Sequence, residues 1–424
     1  MVERGRAAIL IPMRSRLQVG IAVFLWSAAL VFGAQGTPPD SGTPLWSTDV
    51  LPELGLGRRD VPGFPDTRRA GVVFTNDGCL IVFQVDDRVV GTPPRTIAER
   101  LRPFLLRLLL LDPASGRVTL RKEERTSPRQ AAVFAKTGGL LVKSGPPEAA
   151  VFATTGGLLV KSGPPMELYS PDLAQQRDLP FQFARNSRIE VSVSPTGETI
   201  MFNDVVEDPS REFHSHFSVL DARTLKVRYS WDQSPPLYNS YSISGRGIAA
   251  VDFDSHLIVV SEFGRNAWRA VGKPFGRCFS SNMPTLYSDQ ELSYGCDRLV
   301  ATSTDGQVLM TDVFPSHETS SGKTAVAQGG RFIAVSVETE KTKFDLLGLE
   351  STWRVTAIHI RVYDMALKKQ ILTVGVTPLP RKYYDFALSP DGSKLAVLND
   401  RTVSLCAVPV QSTDRPRTVQ RKTP

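Results

Sequence analysis

Residues 321–324, Ser-Gly-Lys-Thr, match the last part of a phosphate-binding loop motif. Such a loop needs a glycine five residues before Gly322 and a helix after its lysine. This chain has His317 at the first position, and residues 325–335, which follow the motif, have the composition of strands. The sequence therefore argues against a phosphate loop.

Ser320 and Lys323 form a Ser-x-x-Lys pair, and a Lys-Thr-Gly triplet lies at 136–138. Penicillin-recognising enzymes use both elements, but in the opposite order and with the serine in a helical context. The chain also has no Gly-x-Ser-x-Gly elbow, His-Glu-x-x-His pair or calcium-loop spacing. We therefore expect no catalytic residue, no metal site and no cofactor.

Two patterns contain histidines on alternate residues. His214 and His216 face the same side if they lie on a strand, and Asp252, Asp254 and His256 show the same alternation. Two histidines are too few to hold a metal without carboxylates nearby. We interpret the histidine pair as exposed edge residues and the second pattern as a solvated face.

Three charged residues take the same position when the β-rich repeats of the chain are aligned. Placing Ser194 in register with Ser389 aligns Glu190 with Asp385, and a third repeat places Lys323 there too. Each residue then lies near the start of the innermost strand of its unit, where ligand sites commonly occur. The three charges could line a ligand-binding mouth, or Lys323 and Asp385 could pair and lock neighbouring units together.

The four cysteines, Cys79, Cys278, Cys296 and Cys406, have no Cys-x-x-Cys spacing and no histidines near them, which argues against a zinc site. Outside the cytoplasm a disulfide is permitted, and Cys278 with Cys296 is the favoured pair. It would contribute about 3 kcal/mol by the loop-entropy estimate. Four buried thiols are the alternative.

The N-terminus has the layout of a secretory signal peptide. Arg14 and Arg16 precede an uncharged run of 16 residues at 19–34, and small residues follow. Cleavage after Gly36 makes residues 1–36 the signal peptide, and cleavage after Ala34 is the alternative site. The alternative is an uncleaved anchor, although the run is short against the roughly 20 residues that span a bilayer. Both readings place the folded part outside the cytoplasm, in the periplasm or the extracellular space.

A tandem copy occupies the middle of the chain. Residues 131–148 are followed by a near-identical segment at 149–166, and sixteen of 18 positions agree. So close an identity indicates the duplication of one hairpin. We expect the extra copy to form an additional hairpin or a bulged loop.

Two weaker patterns recur along the chain. One is a strand, a small turn and a strand, as in Val-Ser-Pro-Thr-Gly at 193–197 and Leu-Ser-Pro-Asp-Gly at 388–392. The other is a hairpin introduced by an aspartate, at 108–120, 218–230 and 361–374. In these hairpins the aspartate can accept backbone N–H bonds at the turn. The two patterns alternate, which predicts units of four antiparallel strands.

Seven such units fit between residues 70 and 410, at about 46 residues each once the extra copy is removed, within the range typical of propeller blades. The predicted fold is therefore all-β, a seven-bladed β-propeller of four-stranded antiparallel blades, with eight blades as the alternative. Residues 37–69 form a Pro-rich entry segment, in which 45–54 could supply a strand that closes the ring. Residues 411–424 form a basic, flexible tail.

On these turns and hairpins, the chain resembles the WD-repeat-like, TolB-type and YVTN-type β-propellers of exported bacterial proteins. The resemblance covers about four fifths of the chain. It departs from the WD pattern because the only Trp-Asp dipeptide, Trp231-Asp232, lies in the wrong context. The resemblance implies a fold and a binding platform, and it implies no reaction.

Composition sets further limits. With 41% hydrophobic and 22% charged residues, the chain of 424 residues can bury a core. Most of its net charge of +7 comes from the two termini, so the folded body is nearly neutral and nucleic-acid binding is not expected. A membrane contact is expected only through an uncleaved N-terminal segment.

The favoured function is a monomeric, non-catalytic module that binds a protein, a peptide or a cell-envelope ligand. One alternative is a propeller hydrolase or lactonase at the channel mouth, with Glu190 or Asp385 as metal ligand or base. Another alternative is a scaffold that binds an envelope assembly through its lateral blades.

Overall fold

The described residues all lie within one unit of the chain, 40–424, and form β-strands joined by turns. The computed structural model describes residues 42–50, 52–53, 68–75, 78–86, 104–126, 134–136, 139–141, 150–154, 157–161, 167–169, 176–178, 188–207, 213–222, 224–233, 241–252, 257–265, 267–273, 284–344, 351–380 and 384–410. Within these ranges, no helix is long and apolar enough to cross a membrane.

Thirty strands are present in this part of the chain. In chain order they are β1 (Pro44–Asp49), β2 (Arg68–Phe74), β3 (Leu80–Asp86), β4 (Phe104–Leu111), β5 (Val118–Thr126), β6 (Phe134–Lys136), β7 (Gly139–Leu141), β8 (Ala150–Thr154), β9 (Gly157–Lys161), β10 (Glu167–Tyr169), β11 (Gln176–Asp178), β12 (Arg188–Val193), β13 (Thr199–Glu207), β14 (Phe213–Asp221), β15 (Val227–Gln233), β16 (Tyr241–Ile243), β17 (Gly247–Asp252), β18 (Leu257–Glu262), β19 (Arg269–Gly272), β20 (Thr285–Leu286), β21 (Glu291–Gly295), β22 (Arg298–Ser303), β23 (Val308–Val313), β24 (Glu318–Val326), β25 (Phe332–Phe344), β26 (Ser351–Asp364), β27 (Lys369–Gly375), β28 (Tyr384–Leu388), β29 (Lys394–Asn399) and β30 (Thr402–Ala407).

Consecutive strands pair antiparallel in groups of four. The groups are β2–β5, β8–β11, β12–β15, β16–β19, β20–β23 and β24–β27, and a last group in which β1 joins β28–β30. For β8–β11 the structure describes the backbone pairing but not the side chains. The first strands of successive groups lie side by side, as β28 does with both β24 and β2, and β16 with both β12 and β20. The chain is therefore an all-β propeller of four-stranded antiparallel blades, with the first strand of each blade innermost.

The two copies of the tandem repeat belong to different sheets. The first copy contains β6 and β7, which form a separate two-stranded sheet, whereas the second copy supplies β8 and β9 of a four-stranded sheet. Of the two forms expected for the extra copy, a hairpin or a bulged loop, β6 and β7 have the form of a hairpin.

The middle strands of the blades are buried on both faces, which accounts for their mostly apolar side chains. The central four residues of β17, β22 and β29 are all buried, because each blade packs between two neighbours. Phe217 illustrates this packing, since its ring stacks on Trp231 of its own blade and meets Tyr241 of the next blade edge-on. The outermost strand β15 is mostly exposed.

The predicted role of the aspartate in the acidic hairpins is confirmed. Asp112, Asp221 and Asp364 each accept a backbone N–H bond from the residue two or three positions later, at 2.9, 2.8 and 3.0 Å. At Asp221, the N–H of Thr224 is the main cause that lowers the carboxyl pKa to about 2. These bonds favour the turn over other local conformations.

The ring-closing strand predicted within residues 45–54 corresponds to β1, which pairs with β30. Two of its side chains also contact the β4–β5 turn of another blade. The indole Nε1 of Trp46 donates to the carbonyl of Pro113 at 3.2 Å, and the hydroxyl of Thr48 donates to the carbonyl of Gly116 at 2.8 Å. β1 therefore joins the last blade to the β2–β5 blade.

Replacing Trp46 with alanine is expected to lower the free energy of unfolding by about 2 kcal/mol, because a half-buried indole and its hydrogen bond are lost. The matched control is Leu45→Ala, one residue earlier on the same strand, where the side chain is 58% exposed. Urea unfolding monitored by circular dichroism measures both changes. Equal losses in the two variants would mean that Trp46 does not hold the ring closed.

Candidate ligand-binding site

The three residues that the sequence placed at the channel lie on first strands of their blades. Glu190 is on β12, Lys323 on β24 and Asp385 on β28. The side chain of Glu190 lies outside the part that the structure describes. Lys323 and Asp385 belong to neighbouring blades.

Lys323 and Asp385 both make contacts that cross between blades. The buried carboxylate of Asp385 accepts the backbone N–H of Val72, on β2, at 3.0 Å. The ammonium group of Lys323 donates to the carbonyl of Tyr384 at 2.7 Å and lies 3.9 Å from the centre of its ring. These contacts link β24, β28 and β2, and the pairing of Lys323 with Asp385 stays a prediction. A ligand-binding role for Glu190, Lys323 and Asp385 stays a prediction.

A β-bulge in β24 directs the side chain of Lys323 toward Tyr384. The register of β24 against β25 shifts between Ser320 and Thr324, where Gly322 has a φ of 78°. The N–H of Ser320 donates to the carbonyl of Cys296 in the preceding blade at 2.7 Å. Bulges commonly redirect a side chain in this way. The Ser-Gly-Lys-Thr sequence is therefore part of strand β24 and does not form a phosphate-binding loop.

The hydroxyl of Tyr384 sits in a polar cluster beside this bulge. It lies 2.7 Å from a carboxylate oxygen of Glu338, 2.7 Å from the hydroxyl of Ser336 and 3.0 Å from the hydroxyl of Ser321. Burial, followed by the negative charge of Glu338, raises the pKa of Tyr384 well above its usual range. The phenol therefore stays protonated and holds the two blades together as a neutral donor.

Buried tyrosines make a drop in stability above pH 10 an expected result. Burial also raises the pKa of Tyr287, Tyr294 and Tyr363. Since the ordinary tyrosine pKa is about 10, the unfolded chain ionises first, and the contribution present below pH 10 is lost as pH rises. Urea unfolding at pH 8 and pH 10.5 measures the loss. The Tyr384→Phe variant should lose less stability between the two pH values, because it lacks one of the buried phenols. An unchanged loss would contradict the role of Tyr384.

The histidine patterns resolve in part. His216 is exposed, with Nδ1 2.7 Å from Asp232 and Nε2 3.0 Å from Ser230. Its strand β14 pairs on both sides, so the prediction of an edge position is wrong. Asp254 and His256 lie outside the described residues. Among those that are described, no group of three or more histidine, cysteine, aspartate or glutamate residues could hold a metal ion.

The cysteines are in two states. Cys296 is disulfide-bonded, whereas Cys79 and Cys406 are free thiols. Burial raises the pKa of the Cys406 thiol to about 11. Cys278 lies outside the described residues, and its pairing with Cys296 stays a prediction.

A groove that the sequence did not reveal lies between the β16–β19 and β20–β23 blades. It opens on the turn face, which is the face with the turns between the first two and the last two strands of each blade. Its volume is about 590 Å³, within the range of small-ligand sites. Ile248, Val260 and Leu286 line its base, and polar turns form its rim. A second cavity, of about 530 Å³, lies beside β1 at the ring closure.

Charged side chains from both blades form the rim of the groove. Arg246 lies 3.5 Å from Asp289 in the opposite blade. Arg269 lies 2.8 Å from Asp305 and donates to the carbonyl of Thr304 at 2.6 Å, again across the groove. Within the first blade, Arg265 pairs with Glu262 at 3.0 Å. The rim can therefore exchange charged partners with a ligand.

No motif in the sequence marks the groove. Its charged side chains come from turns of two different blades, and each pair that bridges it joins residues that are distant in sequence. Gln290, in the β20–β21 turn, also lines the groove.

No family model and no curated protein matches this chain. Among solved structures, it is similar to a chain in the crystal structure of the mitotic checkpoint complex, with 11% identity, a TM-score of 0.44 and coverage of 89% of this chain and 99% of that one. It is also similar to Kluyveromyces marxianus Hsv2 (12% identity, TM-score 0.36, 63% and 74% covered) and Kluyveromyces lactis Hsv2 (13%, 0.36, 63% and 76%). These TM-scores are below 0.5, and the propeller fold rests on the strand pairing alone.

Proposed function

We propose that this chain is an exported, non-catalytic, seven-bladed propeller that binds a protein, a peptide or a cell-envelope ligand on its turn face. The observation that carries the proposal is the groove between the β16–β19 and β20–β23 blades. Charged side chains of both signs surround it, and their ion pairs are exposed to solvent. Such a surface suits reversible recognition.

The number of blades is supported by strand adjacency. β8 lies beside β2 on one side and beside β12 on the other. These contacts support the proposal that the β8–β11 sheet is a blade between the other two. Counting it as a blade, with the β1-containing group, gives a ring of seven.

The export proposal rests on the basic, apolar and small-residue order of residues 1–36 and on the cysteines. Cys296 is disulfide-bonded, and neither Cys79 nor Cys406 is its partner. This supports a disulfide between Cys296 and Cys278 and therefore an oxidising compartment. N-terminal sequencing of protein recovered from the periplasm of an expressing bacterium tests this. A chain that stays in the cytoplasm with its first residue intact would contradict export.

The binding proposal is tested by filling the groove. Gln290→Trp places a large ring at the rim, and Gln307→Trp makes the same exchange at an exposed position of the same blade, outside the groove. Both variants and the wild type are used for crosslinking and capture from an envelope fraction. We expect a partner retained by wild type and Gln307→Trp and lost with Gln290→Trp. Equal capture by all three would exclude the groove as the binding surface.

A further inference from the structure

We propose that the groove takes an extended peptide segment in which an acidic and a basic side chain are separated by one residue. This inference rests on the proposed binding function and names the chemistry of its ligand. It comes from the charge pattern of the two walls and the weakness of the ion pairs between them.

The two walls of the groove carry opposite charge. The wall from the β16–β19 blade has Arg246, Arg265 and Arg269 against one acid, Glu262, whereas the opposite wall has Asp289 and Asp305. A ligand with a single charge would meet one attractive and one repulsive wall. A ligand with both charges matches both walls, which is electrostatic complementarity that fixes its direction.

The pairs that now bridge the groove are easily displaced. Arg246 is 80% exposed, and its Nε lies 3.5 Å from Asp289, longer than a normal N–H···O hydrogen bond. Arg269 and Asp305 are 56% and 79% exposed. Ion pairs this exposed contribute little because water screens them. A ligand carboxylate can therefore replace Asp289 at Arg246, while a ligand cation takes Asp289.

Arg265 adds a second guanidinium on the same wall. Phe263 donates its N–H to the carbonyl of Arg246 at 3.0 Å, so the two turns that present Arg246 and Arg265 lie against each other. Arg265 is 69% exposed and its pairing with Glu262 is also exposed. Two guanidiniums can share a carboxylate with the directed geometry that lysine lacks.

The apolar residues below the rim offer little surface to a ligand. Ile248, Val260 and Leu286 are 1%, 7% and 2% exposed, so the charged rim carries the recognition. A volume of about 590 Å³ accommodates a few residues and excludes a folded domain. An extended segment spans about 10 Å in three residues and presents its outer two side chains to the same side of the strand.

Direct binding of short probes tests the inference. Fluorescein-labelled pentapeptides with the central sequences Glu-Leu-Lys, Gln-Leu-Gln, Glu-Leu-Glu and Lys-Leu-Lys are titrated with purified wild-type protein, and anisotropy gives the Kd. We expect the mixed-charge probe to bind at least tenfold more tightly than the other three. Its Kd should rise with salt, because exposed charges carry the recognition.

Two variants and one control locate the binding. Arg246→Ala and Asp289→Ala are each expected to weaken the mixed-charge probe about tenfold. Arg228→Ala removes an exposed arginine that pairs with Asp221 in another blade, and it should leave the Kd unchanged. A mixed-charge probe that binds no better than the neutral one, or a Kd unaffected by Arg246→Ala, would overturn the inference. If Gln290→Trp still abolishes partner capture, the binding function stands and only the ligand chemistry is wrong.

Discussion

Replacing Gly330 with alanine is expected to lower the free energy of unfolding by about 3 kcal/mol, whereas Gly329→Ala should lower it by only about 1 kcal/mol. The two glycines are neighbours in the β24–β25 turn, with φ values of 76° and 79°. Alanine pays the same backbone cost at both positions. The difference is that a methyl group on Gly330 would overlap the carbonyl oxygen of Tyr287, whereas nothing lies within 4 Å of one on Gly329.

Urea unfolding of both variants measures the two losses under identical conditions. The comparison of Gly330→Ala with Gly329→Ala separates the effect of the contact between blades from the effect of turn conformation. The two positions are adjacent in sequence and have nearly the same φ. Similar losses would show that the two blades can separate at this turn without cost.

Much of the fold could be predicted because the turns carry their own hydrogen bonds. In the Ser-Pro-Asp-Gly turn, the hydroxyl of Ser389 accepts the N–H of Lys394 at 2.9 Å and donates to Asp391 at 2.6 Å. These bonds involve residues at most five apart, so the sequence pattern specifies them. The blade boundaries followed from such turns, and the strand predicted within residues 45–54 pairs with β30.

The placement of the candidate site was less predictable. Aligning the repeats correctly put Lys323 and Asp385 on first strands, but it could not reveal the bulge at Gly322 that turns Lys323 toward Tyr384. A bulge is a difference in register between two strands, and the extra residues that β24 inserts opposite β25 do not appear in a hydrophobic pattern.

The groove was missed for a different reason. Its bridging pair of Arg269 and Asp305 joins residues that are distant in sequence and belong to different blades. Neither residue forms a motif with its own neighbours. Only the packing of one blade on the next brings them together.

The second large effect is expected at Asp364, in the β26–β27 hairpin. Asp364→Ala should lower the free energy of unfolding by about 3 kcal/mol, because a buried acceptor of two turn N–H groups and of a charge-assisted bond from Arg331 is lost. The Asp364 side chain is 1% exposed. It accepts the N–H groups of Ala366 and Leu367 at 3.0 and 3.2 Å and the guanidinium of Arg331 at 2.8 Å. Its removal leaves two turn N–H groups without this acceptor.

The matched control is Asp112→Ala, because Asp112 holds the same position in an exposed hairpin and accepts only local bonds. Its loss should be much smaller. Asp364→Asn should fall between the two, since the amide oxygen keeps an acceptor for the turn but loses the charge that attracts Arg331. Urea unfolding orders the three variants. Equal losses for Asp364→Ala and Asp112→Ala would mean that the hairpin aspartate acts only within its own turn. The link from Asp364 to Arg331, which ties the β26–β27 turn to the β24–β25 turn that carries Gly330, would then contribute nothing to the blade.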